Sequence, residues 1–275
     1  MKFTDLHLHS NYSDGELSPE KIVKLAVQNN YSAISITDHD TVEGLEEGAA
    51  AAEAEKIEFI TGVEISTMIG YSEVHILGYC FDDKNNNLLK ILDDMKNARS
   101  ERIRAIIKKL QKNKYSIELD RVMEISESGV LGRPHIARAL IEKGYARNLK
   151  EAFGKFLTPG CTTYVPRRKI LPRDAIQIIL EAKGIPVLAH PGINYSENYL
   201  STLISFGLLG LEVFHPDHSQ RQQNFYLQVA KENNLLVTGG SDWHGSNKGK
   251  STFPGQILLN YEYYIDLIKK KGELF

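Results

Sequence analysis

Along the chain, short runs of β-branched and other apolar residues give way, again and again, to stretches with helical spacing. Ala33-Ile34-Ser35-Ile36-Thr37 reads as a buried strand, and the helix before it is announced by Ser18 as N-cap with Pro19 behind it. Runs at 57–65, 74–79, 185–189, 209–214 and 235–238 have strand composition, and with 33–37 and the opening segment at 5–9 they make seven. Amphipathic patterns at 42–55, 173–183, 199–206 and 219–233 lie between several of them. Strand-helix alternation predicts a parallel α/β sheet, and seven such units predict a closed (β/α) barrel of the TIM type.

One region breaks the rhythm. From 87 to 166 the pattern is helical, with segments at 88–113, 120–127, 134–143 and 149–157. It reads as a helical insertion between the fourth and fifth strands, leaving 1–86 and 167–275 to build the barrel. Insertions that follow a barrel strand emerge where active sites are built, so a cap is the expected role. Within it, Arg99, Arg102, Arg104, Lys108, Lys109 and Lys112 form the solvated face of a helix whose apolar positions include Ile103, Ile106, Ile107 and Leu110.

The chemistry begins in the first ten residues, "MKFTDLHLHS". On an extended strand Asp5, His7 and His9 point one way, and Leu6 and Leu8 the other. Two imidazoles beside a carboxylate suit a divalent metal ion; the alternative is an edge strand with exposed histidines. The remaining histidines favour the metal. Of nine in the chain, seven fall at or near predicted strand ends: His7, His9, His39, His75, His190, His215 and His244. Asp14, Asp38, Asp40, Glu64 and Asp242 keep them company. The carboxyl face of a barrel is where catalytic groups collect, so the pattern predicts a site for several metal ions. Histidine and carboxylate ligands without thiolate suit Mn²⁺, Zn²⁺ or Fe²⁺. Ions held close together by a bridging carboxylate such as Glu64 serve hydrolysis, with phosphate esters as the leading substrates and carbon-nitrogen bonds left open by the ligands alone.

Bulk properties narrow the partners. A formal net charge of -2 offers no global basic field for long nucleic acid. Arg167-Arg168-Lys169 is a local candidate for attracting polyanions, and Tyr71, Tyr164 and Trp243 are either core or base-stacking aromatics. Two cysteines, a strand pattern at the very start and the lack of a long apolar run predict a cytoplasmic protein that does not enter membranes.

Taken together, "DLHLHSNYSDG", "ITDHDT", "GVEIS", "VHILGY", "LAHPG" and "GGSDWHG" resemble the PHP (polymerase and histidinol phosphatase) family, in the family's order and over nearly the whole chain. The resemblance implies a distorted seven-stranded β/α barrel. "SDGELSP", "GRPHIARAL" and "EVFHPDHS" are similar to the branch that removes the 3'-phosphate from 3',5'-bisphosphonucleotides, some of whose members degrade short RNA from the 5' end. Histidinol-phosphate phosphatase is the alternative enzyme, and a catalytically silent PHP binding module the alternative of another class.

The resemblance also implies three divalent ions, Mn²⁺ first among them. One would be held by His7, His9, Glu64 and Asp242, a second by Glu64, His75 and His190, and a third by Asp14, His39 and His244. In "GRPH", Arg133 and His135 are implied to bind substrate phosphate, unless Gly132-Arg133-Pro134 merely starts a helix. His218 in "HPDH" is a candidate to contact phosphate or protonate the leaving group. Asp40 is a second catalytic candidate, placed with Asp38 to orient His39 or nearby ligands. The expected partners are small phosphorylated nucleotides and short RNA.

Overall fold

The computed structural model describes residues 2–70, 72–126, 131–166, 170–193, 196–245 and 257–275. It contains two compact units, one of Met1–Lys90 with Lys169–Phe275 and one of Ile91–Arg168. Among the described residues no helix is long and apolar enough to cross a membrane.

The first unit is built on a mixed sheet that is nearly closed into a barrel. Its strands are β1 (Phe3–Leu8), β2 (Tyr31–Ile36), β3 (Glu58–Ile69), β4 (Ser72–Tyr79), β5 (Ile185–Leu188), β6 (Gly210–Phe214), β7 (Leu236–Gly239) and β8 (Leu259–Asn260). In space they follow the order β7-β6-β5-β4-β3-β2-β1-β8. Two short links draw the ends together beyond β7: Asp242 donates its N–H to the His7 carbonyl and His9 donates to Trp243, at 2.9 and 3.0 Å.

Helices α1 (Pro19–Gln28), α2 (Leu45–Glu55), α7 (Pro172–Glu181), α8 (Leu200–Ser205), α9 (Gln220–Glu232) and α10 (Tyr261–Leu274) belong to this unit. The first starts as expected, with the Ser18 side chain accepting from Lys21 N–H and Pro19 opening the helix. Leu6, Leu77, Tyr79, Val187 and Ala189 fall in one core cluster, while Leu8, Ile34, Ile36, Ile22 and Trp243 fall in another. Strand β1 is buried on both faces, since Asp5, His7 and His9 are as inaccessible as the leucines between them.

Two expectations need correction. Among the described residues the sheet has eight strands, because a two-residue β8 pairs antiparallel with Phe3 and Thr4. Nor is it all parallel: β4 runs antiparallel to both β3 and β5. The reason is a matter of chain length. A parallel crossover needs a dozen residues or more, and β3 runs on to Ile69 while β4 starts at Ser72. With Gly70 in the left-handed region at φ 60°, the link closes as a hairpin.

The second unit is helical. Most of α3 (Asn86–Lys112) joins α4 (Leu119–Ile125), α5 (Arg133–Glu142), α6 (Leu149–Ala152) and a π-helical turn at Phe153–Leu157. Ile103, Ile106, Ile107 and Leu110 on α3 pack with Ile136, Leu140, Phe156 and Leu157, as the amphipathic pattern requires. The basic face is not wholly solvated. The Arg102 side chain donates to the Val165 carbonyl and lies over the Tyr164 ring, and Lys109 donates to the Tyr164 carbonyl.

Candidate metal centre

Strand period and strand sense together bring the histidines to one place. His7 lies on β1 and His9 just beyond it, so the alternation that buries the leucines on one side aims both imidazoles at the other. His39 follows β2, and its segment crosses onto β3: Asp40 N–H donates to the Glu64 carbonyl, and Glu64 N–H donates to the Asp38 carbonyl. His75 stands near the start of β4, which in a parallel strand would be the far end from the others. Because β4 is antiparallel, this position pairs with Ser66 and comes to the same end. His190 follows β5, while Asp242 and His244 follow β7.

Glu64 is the hinge of the geometry. Its Oε1 lies 2.8 Å from His75 Nδ1 and 3.0 Å from His190 Nε2. Its Oε2 lies 2.9 Å from His39 Nδ1, 3.2 Å from His9 Nε2 and 3.3 Å from His7 Nε2. Asp242 Oδ1 stands 3.1 Å from His9 Nε2 and 3.4 Å from His7 Nε2, and Asp14 faces His244 Nε2 at 3.2 Å. Among the described residues, three groups have donor atoms close enough for one ion each: His7, His9, Glu64 and Asp242; His9, Asp14, His39 and His244; and His39, Glu64 and His75. The first matches the expected set. The second adds His9 to Asp14, His39 and His244. The third has His39 beside Glu64 and His75, with His190 touching the same carboxylate oxygen.

The donor chemistry fits cations. Burial pulls the His9 and His75 imidazoles down, but Asp242 and Glu64 outweigh it at His9, and Glu64 does so at His75, raising them to about 9 and about 10. Burial works against ionised Glu64 too, yet the imidazoles of His39, His75 and His7 hold it well below the usual carboxylate range. At His39 burial prevails and the imidazole is pushed down. Glu64 Oε2 and His39 Nδ1 are buried and face each other without a hydrogen bond. An ion between such oxygen and nitrogen donors would satisfy both.

Backbone strain collects here as well. Asp40, His190 and Asp242 have positive φ, at 56, 27 and 50°, a region that residues with a side chain seldom occupy. Each is held by neighbours. Asp40 Oδ1 accepts the Ser66 N–H at 2.7 Å, Glu212 Oε2 accepts the His190 N–H at 2.7 Å, and the Asp242 N–H is bound by His7 as above. Asp38 accepts from Ser10 N–H, Ser10 Oγ and Ser13 Oγ, fixing the loop that carries Asp14. Asp5 belongs to none of these donor groups; its Oδ1 accepts from the N–H groups of His7 and Ser241, and burial pushes its carboxyl up to about 6.

The other candidates belong to none of these donor groups. His218 Nδ1 donates to the Val213 carbonyl at 2.8 Å, and its Nε2 accepts the Gly192 N–H at 3.2 Å. Both ring nitrogens are thus engaged in holding the turn after His190, and burial pushes the imidazole down. His215 Nε2 stands 3.5 Å from Asp242 Oδ2. Arg133 and His135 lie in the helical unit. The Arg133 guanidinium donates to the Leu157 carbonyl and sits over the Phe153 ring, while His135 Nδ1 accepts the Gly132 N–H and caps α5. Trp243 is core, 3% exposed, and is not available to stack on a base. Tyr71 and Arg167-Arg168-Lys169 lie outside the described residues. The residue that sequence reasoning passed over is Glu212, fully buried on β6 with His7 Nδ1 at 2.9 Å. Its signal was a carboxylate inside an otherwise apolar strand, "GLEVF".

A nearly closed barrel carrying overlapping histidine and carboxylate groups defines a metal-dependent hydrolase. The PHP domain model matches residues 5–158, and the chain belongs to the PHP family. It is 33% identical, over 89% of its length and 88% of the relative's, to a 3',5'-nucleoside bisphosphate phosphatase of Chromobacterium violaceum. It is 32% identical to the 5'-3' exoribonuclease Rnm of Escherichia coli, over 87% of this chain and 84% of that one. Among solved structures, a candidate metal-dependent phosphoesterase of Bifidobacterium adolescentis superposes with a TM-score of 0.88 at 30% identity, covering 98% of this chain and 96% of that one. The protein is a PHP phosphoesterase.

Proposed function

We propose that this phosphoesterase removes the 3'-phosphate from 3',5'-bisphosphonucleotides, and that short 5'-phosphorylated RNA is a second substrate. The reading carries three divalent ions, Mn²⁺ foremost, with His7, His9, Asp14, His39, Glu64, His75, His190, Asp242 and His244 as their ligands. The observation that carries it is Glu64, whose two oxygens serve different sets of imidazoles and so tie neighbouring donor groups together. Similarity to a bisphosphonucleotide phosphatase and to an exoribonuclease, each over more than four fifths of the chain, supports the substrate class.

When bound, such ions supply Lewis acidity to the phosphoryl oxygens and lower the pKa of water. The protein's own contribution is arrangement. Glu64 and Asp242, ionised despite burial, set the negative charge that concentrates cations. Glu212 accepts from His7 Nδ1, so that Nε2 faces the cluster, and the Asp242 carbonyl accepts from His244 Nδ1, so that its Nε2 faces Asp14. Arg133 is proposed to bind a substrate phosphate through its planar fork of donors.

The test is phosphate release from adenosine 3',5'-bisphosphate, 3'-AMP, histidinol phosphate and a short 5'-phosphorylated RNA, all with Mn²⁺. The bisphosphate should exceed 3'-AMP in kcat/KM, because binding energy at the remote phosphate positions the scissile one. Faster turnover of histidinol phosphate would replace this reading with the histidinol-phosphate one.

A further inference from the structure

Glu212 lies between two arms of the cluster and belongs to none of its ligand groups. It is fully buried at the middle of β6, where a carboxylate is costly unless it is matched by donors. The donors are specific. Oε1 takes the Nδ1–H of His7 at 2.9 Å, and Oε2 takes the backbone N–H of His190 at 2.7 Å. One carboxylate thus grips a side chain of β1 and the backbone just past β5, two strands that are not neighbours in the sheet.

Each contact has a consequence for the cluster. An imidazole that donates from Nδ1 presents Nε2, and His7 Nε2 is the atom that meets Glu64, His9 and Asp242 at 3.1–3.4 Å. Residue 190 is held at φ 27°, which places its Nε2 3.0 Å from Glu64. A residue in that region returns to ordinary backbone angles unless its surroundings prevent it.

We infer that Glu212 is a positioning residue that sets two metal ligands at once, the ring of His7 and the backbone of His190, and that a glutamine cannot replace it. Both bound groups are donors, so both oxygens must accept. Glutamine has one carbonyl oxygen, and its amide would meet the other donor with a donor of its own. One of the two ligands must then let go. Loss of such an outer partner typically weakens metal binding by about 10–100-fold.

This rests on the metal reading above, and the test separates the two. Hydrogen exchange of the His7 Nδ1–H and of the His190 amide is followed by NMR in metal-free wild type and Glu212→Gln. Mn²⁺ affinity is measured on the same proteins by competition with a chelator. We expect at least one of the two protons to lose protection tenfold or more in E212Q, and Mn²⁺ to bind about 10–100-fold more weakly. Unchanged protection of both protons overturns the clamp, and unchanged Mn²⁺ affinity overturns its role in the site. Wild type that binds no Mn²⁺ overturns the metal reading, while the exchange data still decide the clamp. If E212Q does not fold, Glu212→Asp keeps two acceptors one methylene short, and the same two measurements apply with the same expected direction.

Discussion

Glu64 and His75 meet at 2.8 Å, Oε1 to Nδ1, from opposite strands of an antiparallel hairpin. In register, Ser66 opposes His75 and Leu77 opposes Glu64, so the two side chains are diagonal neighbours across the pair. A parallel β4 would carry His75 to the other end of the barrel. Strand sense, rather than any property of the histidine, is what admits it to the cluster.

Because Glu64 faces five imidazoles, Glu64→Gln removes the charge that they share. Loss of outer partners costs about 10–100-fold in metal affinity, and a central carboxylate should cost at least about 100-fold. Metal analysis after gel filtration should find fewer bound ions per chain than in wild type, and phosphate release should fall in parallel. Wild-type metal content in E64Q would remove Glu64 from the centre.

The pH dependence of the chelator-stripped protein follows from His9 and His75. Their folded-state values, about 9 and about 10, lie above the ordinary imidazole value of 6.5. A group with a raised folded pKa gives its full stabilisation below the unfolded value and loses it as pH rises through the folded one. The melting temperature of stripped protein should therefore fall as pH rises from about 7 to about 9. Metal binding takes deprotonated imidazole, so the gain in melting temperature on adding Mn²⁺ should grow over the same range. Melting curves with and without metal, at four or five pH values, check both slopes. A gain that shrinks with pH contradicts the assignment.

How much of this was legible beforehand depended on whether a residue announced itself by type. His7, His9, His39, His75, His190 and His244 could be picked out because histidines gathered at strand ends have a chemical reason to be there. Glu212 could not, since one carboxylate in "GLEVF" looks like an exposed strand residue until His7 and His190 are placed against it. The antiparallel sense of β4 follows from the short link after Ile69, but strand composition stops at 65, and pairing with β4 is what carries β3 on to Ile69. Strand β8 is two residues long and gains meaning only from its pairing with Phe3 and Thr4. For Trp243 the sequence leaves core packing and base stacking both open, and it packs with Leu8 and Ile36.

Gly192 sits where a side chain has no room. A Cβ there would stand 2.7 Å from Gln222 Nε2 and 2.9 Å from His218 Cδ2. The glutamine end can swing away, but the His218 ring is tied to the Val213 carbonyl and packed near Tyr226. Gly192→Ala should destabilise the protein by about 1–3 kcal/mol, the usual range for overpacking. The turn that follows His190 should move with it, so metal affinity should also fall. Denaturant unfolding and chelator competition read the two effects, and a variant as stable as wild type would show that the ring yields freely.

Arg133 offers the sharpest choice between substrate and scaffold. Its guanidinium bonds the Leu157 carbonyl and covers Phe153, contacts that a purely structural arginine would also make. If it binds phosphate, Arg133→Ala should lower kcat/KM for adenosine 3',5'-bisphosphate by the worth of one charge-assisted contact, on the order of 1.5–3 kcal/mol. The number of bound metal ions should stay at the wild-type value, since Arg133 belongs to none of the donor groups. Arg133→Lys separates the roles further. Lysine keeps the charge but not the two-pronged geometry, so it should recover part of the lost kcat/KM through the phosphate. The Leu157 contact is a single part-buried bond from a charged donor, and losing it should lower the stability to unfolding by about 1–3 kcal/mol, whichever substrate is offered. Steady-state kinetics and denaturant midpoints on R133A and R133K decide the matter. A drop in stability with unchanged kinetics would make Arg133 part of the scaffold, whereas a kinetic loss that lysine partly restores would make it a phosphate ligand.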